Sequence, residues 1–499
     1  MSRGPEAFEA AAASAARRAF AVGGRAEAGT SGEIAKGEGP VVYWMHREHR
    51  CRDNWGLAHA QALALSANAP LVVAYCLAPG FLGAALRQYD FLLRGLALAA
   101  RELAALSIPF AFLRGDPPAE IVRFARDHGA RAVVTDFDSL RLKRQWIAAA
   151  AKALSCPVRE VDSRNVCPAY LVSDKREYMA RTIRPKIHRL LPEFLTPLPE
   201  PRPHPVPFAA HLPEPDFAAA LAGLDRNRGV DRGVAPVDWA APGTDAGLAR
   251  LDGFIASDLS RYTERNDPNA EATSRLSPWL HFGMLSAQRA ALAVARAEAP
   301  QEAKDSFLEE LVVRRELADN FCLHAPDYDS ASCFPDWARQ TLEKHAADPR
   351  PHLYDEEALE RGETHDPLWN AAQRQMLDTG HMHGWLRMYW AKKILEWTPS
   401  AAEALRIGIR LNDRHQLDGR EANGYAGLAW SMGGVHDRPW GERPVYGTVR
   451  SMTLAGAMRK FDVKGFAARF APGLEADGSG KGGEGEAGGR KKRNRPRTG

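Results

Sequence analysis

The sequence predicts an α/β region followed by an all-helical region: an N-terminal doubly wound parallel sheet, Rossmann-like, a long linker, and a C-terminal helical unit. Three observations predict it. Short apolar, β-branched runs alternate with helix-length segments over residues 41–162. A stretch rich in proline and glycine follows at 198–242. Beyond it strand signals nearly vanish, and helical periodicity continues to about residue 470. A chain of 499 residues is also too long for one ordinary core.

In chain order, residues 1–38 are rich in alanine and glycine and are expected to form a disordered tail. Charges interrupt its alanines, which makes a poor secretory signal. The α/β unit spans 39–197. Its strands are expected at VVYWM (41–45), LVVAYCL (71–77), PFAFLRG (109–115), AVVTDFD (132–138) and PVREVD (157–162), with helices at 54–66, 84–106, 118–128 and 140–154. The fingerprint G-x-G-x-x-G is missing after the first strand, which argues against an NAD site. The linker spans 198–242. The helical unit spans 243–470, with helices at 247–262, 277–299, 304–321, 366–378, 384–397 and 401–410. Residues 471–499 are expected to be a disordered basic tail.

The net charge of +4 is carried by that tail. Arg490, Lys491, Lys492, Arg493, Arg495 and Arg497 supply six positive charges, and without them the balance is −2. A polyanion site on the folded part must therefore be a local patch, while the tail adds salt-sensitive attraction to nucleic acid. The six cysteines are scattered without a C-x-x-C, which suits a reduced, cytoplasmic setting and argues against a disulfide framework or zinc site. No run of about 18 apolar residues suggests a membrane span.

Several stretches carry chemistry-bearing residues, and each has two readings. In ATSRLSPWLHFG (272–283), Ser277 before Pro278 suits a helix N-cap. The same hydroxyls could hold a diphosphate at a helix start. FLEELVVRRELADNF (307–321) sets acids and arginines four apart, as in intrahelical ion pairs, yet a lone carboxylate could hydrogen-bond a neutral ligand. In GHMHGWLRMYWAKKILEW (380–397), Trp390 and Trp397 share a face with Leu386 and Ile394, as core residues do; tryptophan is also the side chain best able to pass an electron. His381 and His383 find no convincing third metal ligand, and no metal is expected. The glycine-rich GYAGLAWSMGGVHDRPW (424–440) reads as a surface loop pinned by Trp430 and Trp440, or as rings that stack on something flat.

Taken together, these strings resemble class II cyclobutane pyrimidine dimer photolyases of the photolyase/cryptochrome superfamily. LNDRHQLDGREANGYAGLAWSMGGVHDRPW is similar to the C-terminal signature of that class nearly residue for residue. VVYWMHREHRCRDNWGLAHAQ, RYTERNDPNAEATSRLSPWLHFG and EELVVRRELADNF match as well, and the resemblance covers about residues 40–465. It implies light-dependent repair of cyclobutane pyrimidine dimers, with FAD in the helical unit and, in the α/β unit, an antenna chromophore of deazaflavin or folate type. It implies that one electron passes from photoexcited FADH⁻ to a dimer flipped out of double-stranded DNA.

By the same resemblance, Tyr262, Thr273, Ser274, Arg275, Leu276 and Ser277 grip the FAD phosphates. Arg387 and Asp418 lie beside the flavin ring, and Asn412 lies near its N5. Glu310 hydrogen-bonds the dimer, and Met388 and Trp430 line its pocket. Arg265, Asn266, Arg314, Arg438 and Trp440 fall on the DNA side, and Trp390, Trp369 and Trp397 form an electron route. Some relatives have a tryptophan where Arg314 stands here. The implied protein is a monomer, cytoplasmic or with DNA in a nucleoid or nucleus. A cryptochrome-type sensor shares this fold and flavin, but Glu310, Met388 and Trp430 together favour repair. The class II strings argue against a six-four photolyase. The missing NAD motif argues against an ordinary FAD oxidoreductase.

Overall fold

The computed structural model describes residues 5–22, 34–224 and 229–470. Its N-terminal part is a six-stranded sheet in the order β1-β6-β5-β2-β3-β4, with β1 Ala19–Ala21, β2 Val41–Trp44, β3 Leu71–Leu77, β4 Phe110–Arg114, β5 Ala132–Asp136 and β6 Val158–Val161. The last five strands are parallel, and Tyr43 pairs with Val73 on one side and Val134 on the other. Every residue of β2, β3 and β5 is buried, as a sheet covered on both faces requires. The covering helices include α1 Pro5–Arg17, α2 Trp55–Ser66, α3 Leu86–Ala105, α4 Pro117–Asp127 and α5 Arg141–Ala153. Asn54 caps α2, its side-chain oxygen accepting from Leu57 N at 3.0 Å, and Asp116 caps α4. Strand order reverses at β2, between β3 and β5, so the crevice beyond the carboxyl ends of β2 and β5 is the switch point where such sheets hold ligands.

The N-terminal expectation needs correction. Residues 5–22 are not a disordered tail: α1 packs on α2, and β1 adds an antiparallel edge strand to β6. The anchor is Arg18, fully buried, whose guanidinium donates to Val166 O (3.0 Å), Phe194 O (2.9 Å) and Gln288 Oε1 (3.0 Å). Alanine-rich composition hid a helix whose small side chains fit close to α2.

The C-terminal part is mainly helical, and three expected helices differ in form. The one at 247–262 ends at Ser257 and continues as a separate 3-10 helix, Leu259–Glu264. The segment 277–299 is two helices, Ser277–His281 and Ala287–Arg296. Gly283 breaks it with φ +62°, where a Cβ would strike Arg47 O. That break lets the chain press onto the 46–50 loop: His49 Nδ1 lies 2.8 Å from Phe282 O, and Arg50 donates to Gly283 O at 2.8 Å. The segment 304–321 runs continuously from Gln301 to His324 but passes through a π-helical turn, Glu309–Arg314. The glycine-rich stretch is a loop only in its second part: Ala422–Gly433, with Trp430, is a helix ending at Gly434 in left-handed conformation, and 435–440, with Trp440, is irregular.

Among its described residues, the segment 198–242 contains the short helix Phe217–Ala222 and packs closely. Leu198, Ala220 and Val230 join the core beneath the sheet, while Val237 and Ala240 join a helical core. No helix among the described residues is long and apolar enough to cross a membrane. The basic segment 471–499 lies outside the described residues.

Candidate active site

The 271–277 loop reverses sharply, with Glu271 at φ +51° and Arg275 at φ +52°, and hands the chain to the Ser277 helix. Leu276 takes the capping position, so Ser277 is the first helical residue rather than the N-cap. Arg250 ties down the loop carbonyls, donating to Ser274 O at 2.8 Å and Thr273 O at 3.3 Å. Thr273, Ser274, Arg275 and Ser277 are half-buried, and Leu276 anchors the loop in the core.

Ser277 connects this loop to a second cluster. Its hydroxyl faces Asp418 and favours the charged carboxylate, which Arg387 Nη2 holds at 3.0 and 3.1 Å. Arg387 donates as well to Gln416 Oε1 (3.0 Å) and Met382 O (3.0 Å). Burial pushes the Asp418 carboxyl up, but Arg387, the Ser277 hydroxyl and His381 outweigh it and hold the group below its ordinary range. Burial, then Arg387, lowers His381 to about 3, so its imidazole is neutral at neutral pH. Burial lowers His383 to about 4, and its Nε2 is buried without a hydrogen-bond partner among the described residues.

Asn412 lies on the helix Ala401–His415, and its Nδ2 donates to Asp413 Oδ1 at 2.9 Å. Asp413 is fixed in turn by Arg420 N (2.8 Å) and the Tyr425 hydroxyl (2.9 Å). Gly424 permits this, since a Cβ there would come within 2.9 Å of Asn412 Nδ2.

Glu310 sits in the π-helical turn and accepts from Arg265 Nη2 at 3.2 Å. Arg265 lies 5.2 Å over the ring of Tyr262, which packs edge-on against Phe254 and Phe307. Arg314 is exposed and paired with Glu309 at 3.1 Å, five positions back, the spacing a π turn brings together; the pairing expected at four positions does not form there. Met388 and Trp430 are both half-buried, and Asn266 is exposed. Trp440 is 40 % exposed, with Arg438 and Arg450 at 5.3 and 4.6 Å from its ring. Trp369, Trp390 and Trp397 are all buried. Trp369 stacks on Trp390 (centroids 6.2 Å, planes 9° apart) and meets Trp397 edge-on at 5.7 Å.

Sequence reasoning passed over Asp413, Arg450 and Lys392. Lys392 carried a signal, a lysine inside an apolar helical stripe; the other two carried none, because an acid or an arginine in a polar stretch is ordinary until the fold shows what it touches.

A cavity opens at the switch point, lined by Trp44, His46, His49, Tyr75, Lys143 and Trp146 among others and closed by Phe282 and Arg420 of the helical part. Trp44 Nε1, both ring nitrogens of His46 and His49 Nε2 are buried there without hydrogen-bond partners among the described residues. Burial, then Lys143, holds His46 at about 3.

Residues 41–204 match the family model described as DNA photolyase. The deoxyribodipyrimidine photo-lyase of Potorous tridactylus is 50 % identical over 436 residues, covering 86 % of this chain and 81 % of that protein. The one of Arabidopsis thaliana is 46 % identical over 440 residues, covering 86 % and 88 %. Among solved structures, a class III photolyase from Agrobacterium tumefaciens superposes with a TM-score of 0.66 at 21 % identity, covering 90 % of this chain and 88 % of that one. A Synechocystis cryptochrome superposes with 0.68 at 17 %, covering 89 % and 91 %. These two bear on the fold, and the curated relatives on the family: the chain belongs to the photolyase/cryptochrome superfamily and, within it, to the class II cyclobutane pyrimidine dimer photolyases.

Proposed function

We propose that this protein repairs cyclobutane pyrimidine dimers in DNA in a light-dependent manner, as a deoxyribodipyrimidine photo-lyase with FAD as its cofactor. One observation carries the reading. Strings far apart in sequence, each resembling the family, meet in space: Arg387 hydrogen-bonds Asp418, and the Ser277 hydroxyl faces the same carboxylate.

The residues fit FAD in charge and donor chemistry. Hydroxyls and free N–H groups at the 273–277 turn suit a diphosphate, with Arg275 beside them. His383 Nε2 is a buried polar atom in want of a partner. Arg387 and Asp418 present one cation and one anion to the polar edge of a flavin. Asn412, its amide nitrogen engaged by Asp413, keeps its oxygen for N5. When bound and photoexcited, the reduced flavin would supply the single electron that splits a cyclobutane ring. That ring offers no acidic proton and no good electrophile, so the protein need not move protons. Its residues bind, orient and exclude water.

On the substrate side, Glu310 accepts hydrogen bonds from the dimer, while the contact with Arg265 aims the carboxylate. Trp430 and Met388 wall the flipped bases, which cost little to extract because a dimer stacks poorly. Trp440, exposed between Arg438 and Arg450, lies against the opened duplex, where ring stacking and phosphate attraction combine. The departure at Arg314 removes one aromatic wall, and the arginine, paired to Glu309, stands at the DNA side instead.

Glu310→Ala tests the reading. It is expected to weaken dimer binding and repair by about 1–3 kcal/mol in substrate interaction, as for a hydrogen bond to a charged group, with FAD content unchanged. Dimer titration and the flavin spectrum of one preparation check it. Loss of flavin would place Glu310 in the cofactor site instead.

The switch-point cavity we assign to an antenna pigment. Its aromatic walls and unpartnered ring nitrogens suit a flat ligand with hydrogen-bond acceptors, as deazaflavins and folates both are. Protein purified from a host that makes such pigments is expected to show a near-ultraviolet or blue absorption band beyond the flavin's, and Trp146→Asp to lose that band alone. Retention of the band in this variant would move the pigment elsewhere.

A further inference from the structure

Lys392 is the most unusual cation in the helical part. It lies on the helix Gly384–Trp397, one turn beyond Met388, and it is fully buried. Its Nζ donates one hydrogen bond among the described residues, to Ser431 O at 2.8 Å, and sits 4.7 Å over the ring of Trp430. No carboxylate among the described residues pairs with it directly. An ammonium so placed is costly, because burial removes its water and one carbonyl replaces little of it. A methionine or leucine would fill the same space without that cost. The carbonyl it holds belongs to the residue after Trp430, so the ammonium touches both the ring and the backbone that aims it.

We infer that Lys392 is a positioning residue for substrate recognition: seated on one face of Trp430 and anchored to the Ser431 carbonyl, it holds that ring at the angle at which the flipped bases meet it. The inference rests on the reading of Trp430 as a wall of the dimer pocket. A cation against a desolvated indole face is among the stronger ring contacts, and it resists tilting of the plane. Chi rotations that an unsupported half-buried tryptophan could make would cost this contact.

The charge can also be withdrawn. Burial lowers Lys392 to about 7; Asp437 favours the charged form and Arg450 opposes it. Asp437 accepts from Trp440 Nε1 at 3.2 Å, so the same groups reach the other ring on the DNA side. The ammonium is therefore present below about pH 7 and lost above it, and the hold on Trp430 goes with it.

The test is dark binding by full-length holoprotein. Dimer-containing and undamaged duplexes are compared at about pH 6 and about pH 8.5, on either side of the lysine's titration. Wild type is expected to discriminate about tenfold better at the lower pH. Lys392→Met is expected to lose that advantage at the lower pH, match wild type at the higher one, and bind undamaged DNA unchanged. In a Trp430→Ala background the same substitution should be silent. If Lys392→Met does not fold, the profiles of wild type and Trp430→Ala decide the matter, since the pH step should vanish with the ring. A folded Lys392→Met that discriminates as wild type does at both pH values overturns the inference, as does a pH step that survives in Trp430→Ala. If Trp430→Ala itself keeps full discrimination, the assignment of Trp430 to the pocket has failed instead.

Discussion

Trp390→Phe is expected to abolish light-driven reduction of oxidised FAD, by at least tenfold in rate, while the same protein, reduced chemically, still repairs dimers. The resemblance assigns Trp390 the place nearest the flavin, and the packing gives it successors. Trp369 reaches it from another helix, stacked nearly parallel to it at a 6.2 Å centroid separation, and donates its indole N–H to Trp390 O at 3.0 Å. Trp397 follows at 5.7 Å. Trp390 and Trp397 lie seven residues apart on one helix, about 10 Å at its rise per residue. Trp369 fills that gap, so each hop spans rings nearly in contact.

Phenylalanine keeps an aromatic ring in place but is far harder to oxidise, so it should break the route at its first member. It also removes the bond from Trp390 Nε1 to Gln373 Oε1 (2.8 Å), leaving a buried acceptor unpaired at a cost of about 1–3 kcal/mol. A thermal melt of the variant is the necessary control. Photoreduction at the wild-type rate would mean the stripe is only core, and failed repair after chemical reduction would mean Trp390 is structural.

How much of this was legible follows from where each signal lives. β2, β3 and β5 were readable because each is a largely apolar run, as burial on both faces demands, and β4 and β6 because short β-branched or aromatic runs sit between helix-length segments. β1 was not: Ala-Phe-Ala carries no strand signal, and what fixes it is Arg18, whose partners lie more than 140 residues away. The break at Gly283 was hidden because its cause is Arg47 O, a clash from another part of the chain. The helix Ala422–Gly433 was misread because glycine normally argues against helix; here Gly424 lets Asn412 approach, a tertiary need that overrides propensity. The site residues became legible only together, by resemblance. Asp413 and Lys392, which act through Asn412 and Trp430, have no motif of their own.

Asp319→Ala is expected to lower stability by about 3–5 kcal/mol, as removal of one partner of a buried pair does, and to loosen the seam between the sheet and the helices first. Asp319 is fully buried on the helix Arg315–His324. It accepts from Arg164 Nε at 2.9 and 2.8 Å and from Ser139 Oγ at 2.6 Å, both donors coming from the α/β part. Arg164 reaches on to Glu421 at 3.1 Å, and Glu421 lies 3.0 Å from His281 Nδ1. Asp319 is thus one of the acids that tie the segment after β6 to the helical core, with Glu421 and Glu316, and Arg164, whose guanidinium is itself buried, cannot turn to water when it goes. Glu421 compensates only in part, since it already serves His281 and Arg47. The seam also walls the switch-point cavity through His281 and Arg420, so the variant should release any antenna pigment at temperatures where FAD stays bound. Calorimetry should show one cooperative transition in wild type and a split or markedly lowered one in Asp319→Ala. A loss below about 1 kcal/mol, the size of an exposed pair, would show that the two parts are held by apolar packing and that this buried charge is incidental.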